Sequence, residues 1–151
     1  MLKSTVEVAS AIAIIVTLAL VGWELRQNTQ TLKIAAYQEL TSQIIEFNRV
    51  GIDHPEIGDF ERSFERGDPL AASQFDVLNN RYFEAFRLGD LVYYQFLQGA
   101  LPEGRLDTAL GPLRAMIRRP FFGVWWELRR DGFTADYRAF VDSLYSAEQA
   151  P

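Results

Sequence analysis

The one histidine of the chain, His54, stands among acidic residues, which is the combination that metal binding or acid–base chemistry requires. Asp53, Glu56 and Asp59 flank it within a few positions. A single histidine rules out the HExxH and paired Glu-x-x-His arrangements of helical metal sites. Turn formation and helix capping explain the same residues without any ligand. We therefore predict no metal site, no cofactor and no catalytic role for this group.

A second charged group, Glu84, Arg87 and Asp90, falls on an aromatic-rich helix. These side chains could line a polar pocket, but an ordinary Glu84–Arg87 ion pair at i,i+3 spacing explains them as well. The sequence has no glycine-rich phosphate loop and no G-x-S-x-G nucleophile motif. We therefore expect a protein that is not an enzyme.

Composition narrows the function classes further. The chain has 151 residues, which suffices for one helical domain and one membrane anchor. It has no cysteine, so disulfides, thiol nucleophiles and thiolate metal sites are excluded. The net charge of −5 argues against a nucleic-acid binder, which needs a basic face to neutralise phosphates.

The most apolar stretch of the chain lies near the N-terminus. Val8–Trp23 carries no charge, and counting back through Glu7 to Thr5 gives roughly 28 Å of helix, enough to cross a bilayer core. The Glu7 carboxylate would reach water at the headgroups. We predict a transmembrane helix at residues 5–24, with Trp23 at the membrane interface. A cleaved signal peptide would have a shorter apolar run and an A-x-A-like site. A buried helix of a soluble bundle would usually show a polar stripe, and only Ser10 and Thr17 interrupt this one.

Positive charges near this stretch give a weak indication of orientation. Lys3 stands before it, and Arg26 and Lys33 follow it. The excess on the C-terminal side favours an external N-terminus and a cytoplasmic main domain at residues 25–148.

Turn residues divide the rest of the chain into helices. We expect the first helix to run to about Val50, because no glycine or proline interrupts it after Gly22. Gly89, inside a helical pattern, predicts close packing of a neighbour. The predicted fold is all-α, a long N-terminal helix with a small bundle of about four further helices. The expected boundaries are a turn at Gly51, a helix opened by Pro55 and ended by Gly67, an N-cap at Asp68 with Pro69, a helix end near Leu97, a break near Gly111 at Pro112, a start at Pro120, and a last helix from Thr134 to about Ser146.

Two sets of residues in the first helix are predicted to mediate interactions. Small residues on one face of the span could allow helices to approach closely. An apolar stripe on the extension needs a packing partner. The span set is Ala9, Ala13 and Thr17, and the stripe is Leu25, Leu32, Ala36, Leu40, Ile44 and Phe47.

The segment RRPFFGVWWELRR combines a broad apolar face with flanking arginines. As an interfacial helix it would place Trp125 and Trp126 at the lipid headgroups, with arginines binding anionic lipid. The alternatives are a core helix with solvated arginines and an aromatic cofactor pocket. The arginines are Arg118, Arg119, Arg129 and Arg130.

Four motifs together resemble a set of uncharacterised small bacterial membrane proteins. They are ELRQNTQTLKIAAYQ (Glu24–Gln38), YYQFLQG (Tyr93–Gly99), VWWELRR (Val124–Arg130) and FTADYRAFVDSL (Phe133–Leu144). The resemblance covers most of the chain and implies an all-α architecture in the bacterial inner membrane, but no activity. The sequence departs from that pattern at ALGPLRAMIRR, where glycine and proline interrupt an otherwise continuous helix.

These observations predict a non-catalytic single-pass membrane protein. Its helical domain would mediate assembly, either with further copies of itself or as an accessory subunit of a larger membrane complex. The alternative is a module that binds the membrane surface or lipid through Arg118–Arg130. The predicted partners are membrane lipid and protein subunits, with no nucleic acid.

Overall fold

The structure is a computed structural model that describes the backbone of residues 2–149 and the side chains of residue 10 and residues 12–149. The regular structure in this range is entirely helical, which confirms the all-α prediction. It comprises seven α-helices, more than the sequence predicted, and one short 3-10 helix (Arg130–Gly132). The α-helices are α1 (Leu2–Asp53), α2 (Glu56–Glu65), α3 (Ala72–Leu97), α4 (Glu103–Ala109), α5 (Gly111–Ile117), α6 (Pro120–Arg129) and α7 (Ala135–Gln149).

The chain divides into two compact units, Met1–Gln38 and Glu39–Pro151. The first holds the N-terminal part of α1, and the second holds the end of α1 with the six later helices. We refer to residues 39–149 as the bundle. Among the described residues, no helical segment is both long and apolar enough to cross a membrane. The predicted span at residues 5–24 includes residues 5–9 and 11, whose side chains lie outside the described part of the chain.

Helix α3 is the central element of the bundle, since α2, α4, α5 and α6 all pack against it. One of its faces is fully buried, with Leu78, Tyr82, Phe86 and Val92 inaccessible to solvent. Gly89 lies on the same face, and a Cβ there would meet the Tyr137 hydroxyl and both terminal methyl groups of Leu113. The predicted close approach at Gly89 is therefore confirmed.

Replacing Gly89 by alanine should destabilise the bundle. The added methyl group gains helix propensity worth up to about 1 kcal/mol, but it collides with a buried tyrosine. We expect a net loss of about 2 kcal/mol in the free energy of unfolding, measured by chemical denaturation. Gly104→Ala is the matched control, because that helical glycine has open space around its Cβ position. Equal stability of the two variants would contradict the packing seen at Gly89.

Proline and glycine set most of the other boundaries. Pro112 separates α4 from α5 as predicted, with the junction at Leu110, and Pro120 is the first residue of α6. The chain leaves α2 through Gly67, whose φ of 77° suits a residue without a side chain. Thr134 caps α7 through a 3.4 Å bond from the Tyr137 N–H to its hydroxyl, and the helix continues to Gln149.

Two predicted boundaries were wrong. Helix α1 does not end at Gly51 but continues to Asp53. Asp68 and Pro69 do not open α3, which begins at Ala72. Asp68 instead accepts a 3.0 Å hydrogen bond from Arg66 Nε, and Gln74 Oε1 accepts one of 2.9 Å from the Ala71 N–H. Local side-chain partners therefore hold Asp68 in the turn rather than at a helix N-terminus.

Candidate interaction surfaces

The His54 group forms a surface turn between α1 and α2. His54 Nδ1 lies 3.0 Å from Glu56 Oε1, and both side chains are exposed. A backbone hydrogen bond at the start of α2, followed by the His54 contact, lowers the pKa of Glu56. Asp59 pairs with Arg62 on the next turn. Among the described residues, no three metal-ligating side chains come together. Asp53 is the last residue of α1, and Glu56 and Asp59 lie in the first turn of α2, whose N-cap at Pro55 has no side-chain hydrogen bond. The predicted turn is therefore present, and the predicted side-chain cap is not.

The charged residues of α3 pair differently from the predicted Glu84–Arg87 pair. Glu84 lies 3.4 Å from Arg81, and Arg87 lies 3.7 Å from Asp90. Arg87 also donates a 2.9 Å hydrogen bond to the Gly132 carbonyl, so it connects α3 to the 3-10 helix. Burial raises the pKa of Asp90, and the charge of Arg87 opposes that rise. Each charge has a structural partner within the bundle.

The aromatic face of α6 is the centre of the bundle core. Phe121, Phe122, Trp125 and Trp126 are all inaccessible or nearly so. Their rings pack on those of α3, with centroid distances of 5.0 Å for Tyr82 and Phe121 and 4.8 Å for Phe86 and Trp125. These contacts are in the range of favourable aromatic pairs.

The two indole nitrogens hold α6 against its neighbours. Trp126 Nε1 donates a 2.8 Å hydrogen bond to Asp142 of α7, and Trp125 Nε1 donates one of 3.2 Å to Asn79 of α3. Both rings are therefore enclosed and satisfied inside the protein. In this fold they offer no surface to lipid headgroups, and their position is the one that the core-helix alternative describes.

The arginines around α6 have acidic or amide partners in other helices. Arg118 donates to Glu148 of α7 at 2.7 Å, and Arg119 lies 3.6 Å from Glu65 of α2. Their predicted contact with anionic lipid would compete with these internal pairs. The remaining two contacts join Arg129 Nε to Asn79 Oδ1 at 2.8 Å and Arg130 Nη2 to Asp142 Oδ2 at 2.7 Å.

Two buried tyrosines should make the bundle sensitive to alkaline pH. The Tyr137 hydroxyl donates to the Phe86 carbonyl at 2.8 Å, and the Tyr82 hydroxyl donates to Glu61 at 3.1 Å. Burial, reinforced by a nearby carboxylate, raises the pKa of both phenols well above the ordinary value. The folded protein then keeps these protons while the unfolded chain loses them above about pH 10. Below that pH, the contribution of these groups to the free energy of unfolding is fully present and does not change with pH. Above it, the free energy of unfolding falls by up to about 1.4 kcal/mol per pH unit for each group.

Urea unfolding at pH 9 to 11 measures this effect. Tyr137→Phe should reduce the dependence of the unfolding free energy on pH by about one bound proton, and Tyr94→Phe, at an exposed position, is the control for the loss of a tyrosine hydroxyl. Identical slopes for all three proteins would exclude a buried protonated phenol at residue 137.

The C-terminal half of the predicted α1 stripe belongs to the bundle core. Leu40 is fully buried at 0% exposure, Phe47 is buried and Ile44 is half-buried. Arg81 of α3, which the sequence did not single out, holds this end of α1. Its guanidinium lies 3.3 Å above the Phe47 ring, and Nη2 donates a 2.6 Å hydrogen bond to the Phe47 carbonyl. The two residues are 34 positions apart, so local sequence gives no sign of the contact.

The N-terminal half of the stripe has a different environment. Leu25 and Leu32 are exposed to 62% and 63%, and Trp23 to 62%. Ala36 is half-buried. The structure therefore splits the predicted stripe into a covered part within the bundle and an uncovered part before it.

The predicted small-residue face of the span is described only in part. The side chain of Ala9 lies outside the described residues, while Ala13 and Thr17 are exposed. The Thr17 hydroxyl donates a 2.9 Å hydrogen bond to the Ala13 carbonyl, so the helix itself satisfies this polar group.

The fold and these surfaces define an all-α helical bundle preceded by a long helix with exposed apolar side chains. No known protein family matches the chain, and comparisons with curated proteins and with solved structures find no match either.

Proposed function

We propose that this chain is a non-catalytic, single-pass membrane protein that uses its helical parts for assembly with other protein chains. The observation that carries the proposal is the exposure of apolar side chains on nearly every face of residues 12–23, which we call the apolar segment. At 3.6 residues per turn, these large apolar side chains surround the helix except for one strip of its surface, where Ala13 and Thr17 lie. The exposed residues are Ile12, Ile14, Ile15, Val16, Leu18, Leu20, Val21 and Trp23.

A helix that is apolar on all sides needs an apolar environment on all sides. In water, the apolar segment would expose far more contiguous hydrocarbon than a soluble monomer ordinarily tolerates. Lipid acyl chains supply such an environment, and residues 5–24 supply the length. The Thr17 hydroxyl could lie in lipid without an unpaired donor, because it donates its hydrogen bond within the helix.

The character of the helix changes abruptly after Trp23. Residues 24–33 are mostly polar or charged, with Leu25 and Leu32 as the exceptions. A polar surface interrupted by one apolar line favours contact with protein over contact with lipid. In this proposal the apolar segment lies in the membrane, and the residues after it contact other protein chains.

Carbonate extraction of native membranes tests the anchor. The intact chain should stay in the membrane pellet at high pH, because extraction would transfer a roughly 19-residue apolar helix into water. A double variant, Ile14→Arg with Leu18→Arg, should shift the chain to the supernatant, since central arginines cost roughly 2.5–3.5 kcal/mol each in a span. Gln27→Arg with Gln30→Arg carries the same added charge outside the apolar segment and should remain in the pellet. Recovery of the native chain in the supernatant would contradict membrane anchoring.

A further inference from the structure

The exposed apolar residues of α1 contain a heptad repeat that continues from the apolar segment into the polar part of the helix. Leu18, Leu25 and Leu32 recur at intervals of seven residues. Between them, at the alternating four- and three-residue spacing of a and d positions, stand Ile14, Val21, Asn28 and Ala35. Residues 14–35 therefore carry three heptads, which form roughly 33 Å of helix.

This line of residues is uncovered in the first unit of the chain. Ile14, Leu18, Leu25 and Leu32 each expose more than three-fifths of their surface, and Val21 exposes 45%. These five side chains offer on the order of 500 Å² of apolar area per copy, and the residues beside them add to it. A specific interface should bury at least about 1,000 Å² in total, and two copies of this line of residues together reach about that area.

Lipid does not explain the C-terminal half of the line. Leu25 and Leu32 lie beyond the apolar segment, on a stretch that also holds Arg26, Gln27 and Lys33. A bilayer that covered the two leucines would also have to accommodate those polar side chains. A protein partner can cover the leucines alone, because they fall on one side of the helix.

The spacing indicates that the partner is another α-helix, and the residues beside the seam favour a further copy of this chain. A strict seven-residue repeat drifts around a straight α-helix unless the helices supercoil around one another. The positions beside the seam suit self-association, since Gly22, Thr29 and Ala36 on one side are small and uncharged. On the other side Glu24 is the one charged residue, and in a parallel pair it would face Thr29 of the next copy rather than a second carboxylate. Arg26 and Lys33 fall outside the core and flanking positions, so identical chains bring no like charges together there.

We propose that residues 14–35 form a parallel coiled coil between copies of this chain. Asn28, at a d position, is the polar residue of the seam, and an in-register pairing lets its amide meet the same amide of the next copy rather than an apolar side chain. The parallel orientation rests on the proposed function, because chains anchored by one membrane insert in the same direction.

Single cysteines test the seam directly, since the native chain has none. Three single variants of the full-length protein in membranes each carry one thiol, in a different heptad. They are Leu18→Cys, Leu25→Cys and Leu32→Cys. With an added oxidant, each variant should form a disulfide-linked dimer, because a parallel, in-register seam brings identical positions together. Gln27→Cys and Gln30→Cys lie on the outer side of the helix and should remain monomeric on non-reducing gels.

The pattern of cross-links separates the alternatives. Dimers from Leu25→Cys alone would indicate an antiparallel pair centred there and would overturn the parallel seam. Dimers from Ala13→Cys without Leu18→Cys would overturn it in favour of the small-residue face. Equal cross-linking at seam and outer positions would show random collision and would overturn it as well.

Particle mass of the native chain in mild detergent distinguishes failure of the seam from failure of the proposed function. If the native chain forms a multimer but residues 18, 25 and 32 do not cross-link, this seam is wrong and the chain assembles through another surface. A particle of one chain without such cross-links would reject both the seam and the assembly part of the proposed function, while carbonate extraction decides its membrane part. Circular dichroism of each cysteine variant, which should match the native spectrum, ensures that a missing cross-link is not a folding defect.

Discussion

Leu40→Glu is expected to unfold the bundle. The Leu40 side chain is completely buried, so the variant loses the packing of a leucine and places a carboxylate where water cannot reach it. The combined cost is about 5 kcal/mol or more, which is comparable with the total stability of a domain of this size. The expected result is lost helicity by circular dichroism and rapid proteolysis within residues 39–149.

Ile45→Glu is the control for this prediction. Ile45 lies five residues later on the same helix, and its side chain is 62% exposed. The same added charge there should change the midpoint of unfolding only slightly. A native unfolding transition for Leu40→Glu would mean that α1 does not pack against the bundle at this point.

The helix boundaries were predictable where proline or glycine determines them. Pro112 cannot supply the N–H that a continuous helix would need, and the junction between α4 and α5 falls at Leu110 accordingly. Pro120 fits the first turn of a helix for the same reason and opens α6. These constraints act within a few residues, so the local sequence contains them in full.

Boundaries set by competing partners were not predictable in this way. Asp68 and Pro69 have the residue types of an N-cap and a first helical residue, yet α3 begins three residues after Pro69. Asp68 is held by Arg66 in the preceding turn, and Gln74 satisfies the free backbone N–H at Ala71. Residue types alone do not decide between two available local partners.

The candidate surfaces show the same limit over longer distances. Periodicity predicted the apolar stripe of α1, but it could not distinguish buried Leu40 from exposed Leu32, because both fit the same helical spacing. The tryptophans of α6 gave a similar ambiguity. Their burial depends on partners such as Asp142, 16 residues away from Trp126, and an amphipathic pattern does not specify that partner.

Leu32→Glu is expected to separate assembled chains without unfolding them. Leu32 lies in the first unit and is 63% exposed, so a carboxylate at this position stays in water when the chain is alone. In an apolar seam between chains the same carboxylate would lose its hydration, at a cost of several kcal/mol per chain. We therefore expect native helicity and a native unfolding transition, together with a lower particle mass in mild detergent.

Gln30→Glu provides the matched charge for this comparison, two residues away on a different side of the helix, and should leave the particle mass unchanged. Leu32→Glu and Leu40→Glu together separate the two roles of α1. A residue buried within one chain is needed for folding, whereas a residue buried between chains is needed for the mass of the assembled particle. Native mass and native folding for Leu32→Glu would show that this leucine stays in water in the assembled protein, and the assembly proposed for the exposed stripe would then be wrong.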